Sequence, residues 1–156
     1  MGTIDYTMHE IVAGNAFLIR WASLSTSSGA ADTGQPFPSS LQYALSGALF
    51  SDKSVHVYPF ASTASDSTIL IQGCNRMDVV DPAAYIWATL SDAQGNALIF
   101  SADSTVTGRP PRLEQVLENV WVIRPIVTSV TNVAFATQTV TVDLLLTSVR
   151  SARSGM

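Results

Sequence analysis

Charge is scarce in this sequence. Asp, Glu, Lys and Arg make up 13% of its 156 residues, where soluble domains average about 25%. Intrinsic disorder is excluded, because it requires low hydrophobicity and high net charge, and here 47% of residues are hydrophobic. Basic residues number 8, form no run and are outweighed to a net charge of −4. Wrapping a nucleic acid takes a basic stripe that displaces phosphate counterions, so no nucleic-acid partner is expected. Cysteine is present once, as Cys74, so no disulfide forms within the chain and folding in a reducing cytosol is expected. No apolar run approaches the ~20 residues of a membrane-spanning helix, and no membrane partner is expected. Residues 1–10 lack the basic-then-apolar order of a secretory signal. Met1-Gly2 opens like a myristoylation site, but Tyr6 stands where Ser or Thr is required.

What is present is a series of short runs rich in β-branched and aromatic residues. Over 3–8, Ile4, Tyr6 and Met8 share one face of a strand. Over 16–21, Phe17, Ile19 and Trp21 do the same. Over 53–60, Val55, Val57 and Pro59 oppose Ser54, His56 and Tyr58. Ile69 and Ile71 pair over 67–73. Residues 85–90 and 97–100 flank the turn sequence SDAQGN, in which Gly95-Asn96 suits a two-residue hairpin turn. Residues 120–127 and 138–147 follow, the last with Val140, Val142, Leu144 and Leu146 on one face.

Eight or nine short strands separated by turn clusters predict an all-β fold: an antiparallel β-sandwich or β-barrel of jelly-roll or Ig-like kind. The spacing of Leu113, Val116 and Leu117 predicts one short helix over 112–118. Pro125 removes a ladder donor, which places the strand over 120–127 near an edge or a bulge. The reading is a single β domain over 1–147 with a long loop over 23–40, then a polar tail over 148–156.

Chemistry-bearing patterns are sparse. His9-Glu10 begins like a zinc-protease helix, but Ala13 replaces the second histidine. His56 lies out of phase with Val55 and Val57 and reads as a surface or interface residue. No serine sits in a Gly-x-Ser-x-Gly elbow, and Cys74 reads as a small buried hydrophobe. Asp78, Asp81 and Asp92 lack calcium-loop spacing, and no glycine loop cradles phosphate. Trp21, Trp87 and Trp121 fall in expected strands and read as core rather than as a sugar platform. No catalytic residue, metal site or cofactor is expected.

Four stretches carry a resemblance. They are DTGQPFP at 32–38, DKSVHVYPF with STILIQGCN across 52–75, WATLSDAQGNALIFSA at 87–102, and VLENVWVIRPIVTS at 116–129. Together they resemble the head decoration, or capsid cement, proteins of tailed bacteriophages. The resemblance implies a structural virion protein made in the bacterial host cytoplasm. It implies a homotrimer that binds the outer capsid surface and bridges subunits of the major capsid protein. The implied contacts are the N-terminal segment Met1, Gly2, Thr3, Ile4, Asp5 and Tyr6, then Asp32, Gln35 and Phe37, then Arg76 and Arg124. The N-terminal strand is expected to pair with a neighbouring chain's sheet edge, and Arg124 with Glu118 or a neighbouring subunit. Other readings are a tail or head-fibre component, and a carbohydrate-binding sandwich displayed on the virion.

Overall fold

A computed structural model describes residues 2–25, 32–39, 50–58, 67–75, 85–102, 112–130 and 139–148. The chain is all-β, with no helix among the described residues. Its strands are Thr3–Ile4 (β1), Tyr6–Val12 (β2), Ala16–Ser25 (β3), Thr33–Gly34 (β4), Asp52–Val57 (β5) and Ser67–Cys74 (β6). Ala88–Thr89 (β7), Ile99–Ala102 (β8), Arg112–Gln115 (β9), Val122–Val130 (β10) and Thr139–Thr147 (β11) complete them. One sheet, here sheet A, runs β1-β4-β10-β6-β7 with β8 also on β6; sheet B runs β2-β3-β11-β5-β9. All pairings are antiparallel except β1 with β4.

The alternation seen in the sequence explains the layering. Val140, Val142, Leu144 and Leu146 on β11 are at most 2% exposed, as are Ile19, Trp21 and Leu24 on β3. They face Ile69 and Ile71 of β6 and Ile123 and Val127 of β10 in one hydrophobic cluster. Each such aliphatic side chain contributes about 1.5–3 kcal/mol by leaving water. Trp21 sits at the centre. Its indole N–H donates to the Gln35 carbonyl at 2.9 Å, and Tyr6 meets its ring edge-on at 6.0 Å.

Residues 3–12 form two strands, rather than the single one expected over 3–8. β1 joins sheet A: the Thr33 N–H donates to the Gly2 carbonyl at 2.9 Å and the Gln35 N–H to the Ile4 carbonyl at 2.8 Å. After Asp5 the chain changes layer and β2 pairs with β3. Ile4 and Tyr6 pack against the core, whereas Met8 is 45% exposed. The N-terminal strand thus pairs within its own chain. His9 and Glu10 lie exposed on β2.

The helix expected over 112–118 is a strand and a loop. β9 pairs with β5 from Ser54↔Gln115 to Val57↔Arg112. Leu113 points outward at 64% exposure and Val116 inward at 4%. The same apolar positions satisfy a helical spacing, and pairing with distant β5 decides between the two.

The turn after β7 is longer than two residues. Asp92 and Asn96 close it, with the Gly95 N–H donating to the Asp92 carbonyl at 3.0 Å. Only Gly95 takes positive φ, at 85°. This is a three-residue connection with glycine at the left-handed position. The Asp92 carboxylate accepts from the N–H groups of Gln94 and Asn96 at 2.9 and 2.8 Å, and these bonds hold it below its usual range. Pro125 faces β4, between the Phe37–Ile123 and Asp32–Val127 contacts, so its missing donor falls where only a two-residue strand pairs. Within the expected long loop, Asp32 and Phe37 are packed, at 7% and 2% exposure; residues 26–31 lie outside the described set. Of the expected tail, Ser148 donates to the Asn15 carbonyl at 2.9 Å, and residues 149–156 lie outside that set.

Candidate interaction surface

The outward face of sheet A is nearly free of charge. Register places Thr3, Thr33, Ile126, Leu70 and Ile99 in one row across five strands. Ile99 is 43% exposed; Leu70 and Ile126 are half-buried. A solvated sheet face ordinarily alternates into polar and charged side chains. Beside this row, Arg124, Gln72 and Thr89 are aligned. Arg124 is the one charged side chain on this face among the described residues. Farther along, Cys74 and Val122 are paired and buried, at 3% and 1% exposure, in keeping with a thiol acting as a small hydrophobe.

Arg124 is held from two sides. Its Nε and Nη2 both donate to the Gln72 side-chain oxygen, at 3.1 and 3.0 Å. The guanidinium carbon lies 3.9 Å from the Trp87 ring centroid. Burial lowers its pKa. Next to it opens a cleft of ≈ 340 Å³, lined among others by Thr3, Thr33, Gln35, Ser39, Tyr85 and Arg124, with no carboxylate among the described residues of its wall. Tyr85 and Trp87 adjoin one another with ring centroids 5.7 Å apart.

The structure brings several of the expected contact residues to this cleft although the sequence separates them widely. Thr3 and Gln35 line it with Arg124. Gly2 and Ile4 are half-buried on the same strand path; Asp5 is exposed and Tyr6 half-buried. Asp32 is buried beside Gly2. Phe37 is a correction: it is 2% exposed and meets Tyr6 edge-on at 5.3 Å, so its side chain belongs to the core. Met1 and Arg76 lie outside the described residues. Arg124 does not meet Glu118, whose carboxylate instead accepts from the Ser91 N–H at 2.7 Å. The tryptophans also divide. Trp21 is core; Trp87 is half-buried under Arg124, and Trp121 is 39% exposed. Neither of the latter two lies within a strand.

Sheet B presents a contrasting outer face, which sequence reasoning missed. Asp143 on β11 lies between Arg20 and His56 in register. Arg20 donates from Nε and Nη2 to its two oxygens, each at 2.7 Å, and the Tyr58 hydroxyl donates at 2.9 Å. That bond pushes the Tyr58 phenol above its ordinary range, and His56 stacks on Tyr58 at 4.4 Å. Arg20 and Asp143 on sheet B thus satisfy one another's charge, whereas Arg124 on sheet A has no carboxylate partner among the described residues. Lys53 was also missed. It is 3% exposed, donates to the Phe50 carbonyl at 3.1 Å and to Asn119 Oδ1 at 3.2 Å, and burial lowers its pKa. Its phase with Val55 and Val57 was the available signal.

At the outer edge of sheet B, β2 has a neighbour only in β3 among the described residues. Ile11 and Val12 there are 56% and 52% exposed, and the strand carries no proline or lysine to blunt pairing.

No family model, curated protein or solved structure matches this chain. The functional reading therefore rests on the sequence and on these surfaces.

Proposed function

We propose that the chain is a structural virion protein that decorates the outer surface of a tailed-phage capsid. As a homotrimer it bridges major capsid protein subunits and stabilises the shell mechanically. The observation that carries this reading is the outer face of sheet A, where the row Thr3, Thr33, Ile126, Leu70 and Ile99 bears no charge. Interface centres are depleted of charged residues and enriched in aromatics and arginine, and Arg124, Trp87 and Tyr85 stand beside that row. The open edge of β2 supports self-association. A trimer engaging three subunits gains avidity of about 10²–10⁴ over a single contact.

The test is to mix the purified chain with phage heads assembled without it and to sediment the heads. Saturable co-sedimentation, with heads that survive higher temperature, is expected. A chain that stays in the supernatant at all concentrations refutes the reading. A second reading, a carbohydrate-binding sandwich on the virion, is favoured by one observation, the 39% exposure of Trp121. Glycan-array binding that vanishes in Trp121→Ala would select it.

A further inference from the structure

We propose that the cleft beside Arg124 is a socket for an aspartate or glutamate side chain of the partner protein. The inference rests on the reading of the chain as a surface-binding protein and names what the surface recognises.

The geometry of the guanidinium decides the chemistry. Arginine carries five N–H donors. Gln72 takes the N–H of Nε and one of Nη2, the fork along the side of the group. The end-on fork, one N–H from Nη1 and one from Nη2, has no partner among the described residues. That fork matches the two oxygens of a carboxylate in a planar bidentate pair. Trp87 lies against the guanidinium, its ring centroid 3.9 Å from Cζ, and together with Gln72 it restrains the side chain, so little freedom is left to lose on binding. Among the described residues Arg20 and Asp143 form the ion pair of the molecule, and no carboxylate lines the cleft. A half-buried cation with no carboxylate beside it among the described residues is costly, and a partner carboxylate relieves that cost only when it arrives. The surrounding Thr3, Gln35 and Tyr85 supply neutral polar groups and no competing charge.

A phosphate would also accept from this fork. A sugar would stack on an aromatic face, and one face of Trp87 already carries the guanidinium. The carboxylate is favoured because the described residues of the cleft offer one cation, enough for one negative charge.

Two measurements test the proposal. In the first, wild type, Arg124→Gln and Arg124→Lys are compared for sedimentation with heads assembled without the chain. Arg124→Gln is expected to weaken binding at least ~30-fold, as when one member of a buried charge pair is removed. Arg124→Lys, which keeps the charge and loses the fork, should fall between. Arg124→Gln binding within threefold of wild type overturns the proposal. In the second, the full wild-type chain is titrated with N-acetylglutamate α-amide, inorganic phosphate and methyl glucoside while the Arg124 Nε–H and Trp87 indole N–H resonances are followed. Saturable shifts with the carboxylate probe support the socket. Shifts with phosphate or the glucoside alone, or with none, overturn it. If wild type fails to bind heads, the capsid reading falls, and the titration still decides the socket.

Discussion

Replacing Gly34 by alanine should be among the most damaging single-methyl changes in this protein. A Cβ at Gly34 would stand 2.6 Å from both Cγ and Cδ of Pro125 and 2.8 Å from Cδ1 of Trp21. Comfortable carbon contact begins near 3.5 Å, so something must retreat by about 1 Å. Neither neighbour can do so cheaply. Pro125 is a rigid ring on β10, and Trp21 is 0% exposed and anchored through its indole N–H. The alternative is for β4 to lift away. That stretches the Val127 N–H bond to the Asp32 carbonyl, 3.0 Å, and the Gln35 bond to Ile4, 2.8 Å. Overpacking of this kind costs about 1–3 kcal/mol, and each weakened hydrogen bond adds about 0.5–1.5 kcal/mol. A loss of about 2–4 kcal/mol follows. In urea it should lower the unfolding midpoint by about 1–2 M, at an m-value of about 2 kcal/mol/M. The natural control is Gly95→Ala, where φ is 85° and no atom lies within 4 Å; left-handed strain alone should cost about 1 kcal/mol. Pro125→Ala removes the obstructing atoms, so the double variant should recover part of the loss in a mutant cycle. A Gly34→Ala midpoint no lower than that of Gly95→Ala, or a cycle without coupling, would refute the close-approach argument.

Asp143→Ala removes the acceptor of two Arg20 bonds and one Tyr58 bond and should destabilise by about 1–3 kcal/mol, read by chemical denaturation. The same change should bring the Tyr58 phenol down toward its ordinary value, read by ultraviolet titration near 295 nm. In wild type that phenol is raised, so the folded state binds the extra proton. The associated stability is complete below the unfolded phenol value and fades as pH climbs through the folded one. Lys53 has the opposite sign. Its pKa is lowered, so the unfolded chain holds more protons between that value and the ordinary lysine range, and stability from this group grows with pH across the window. Lys53→Met should be neutral or stabilising within about 1 kcal/mol at pH 7, with its advantage shrinking by pH 9.5 in paired Tm measurements. Acrylamide should quench a distinct accessible fraction of tryptophan fluorescence. Trp121→Phe should remove that fraction, and Trp21→Phe should leave it while lowering stability.

Much of the layering could be read from alternation alone, because burial on one side of a strand repeats every second residue. β11 shows this most plainly, and β3 and β5 follow it. What alternation cannot supply is the partner. Leu113, Val116 and Leu117 fit two periods, and only the pairing of Val57 with Arg112 selects one. The Arg20–Asp143 bridge joins residues 123 positions apart, and no local pattern marks it. The cleft is similar: its walls come from β1, the segment around β4, residue 85 and β10. The motif DTGQPFP was visible, but not that Phe37 would be buried in the core while Gln35 lines the cleft. Lys53 was legible in phase yet contradicted expectation by type, since lysines are rarely buried.

The position of β11 has a consequence for how the molecule is made. It lies in the middle of sheet B, between β3 and β5, yet it follows both of them in the chain. Before it is made, Phe17, Ile19 and Trp21 on one side and Val55 and Val57 on the other lack the strand that joins them. Sheet B therefore assembles only once β11 has been made, through contacts of long sequence separation that slow folding. Until β11 is in place, the facing edges of β3 and β5 are open to pairing with another copy.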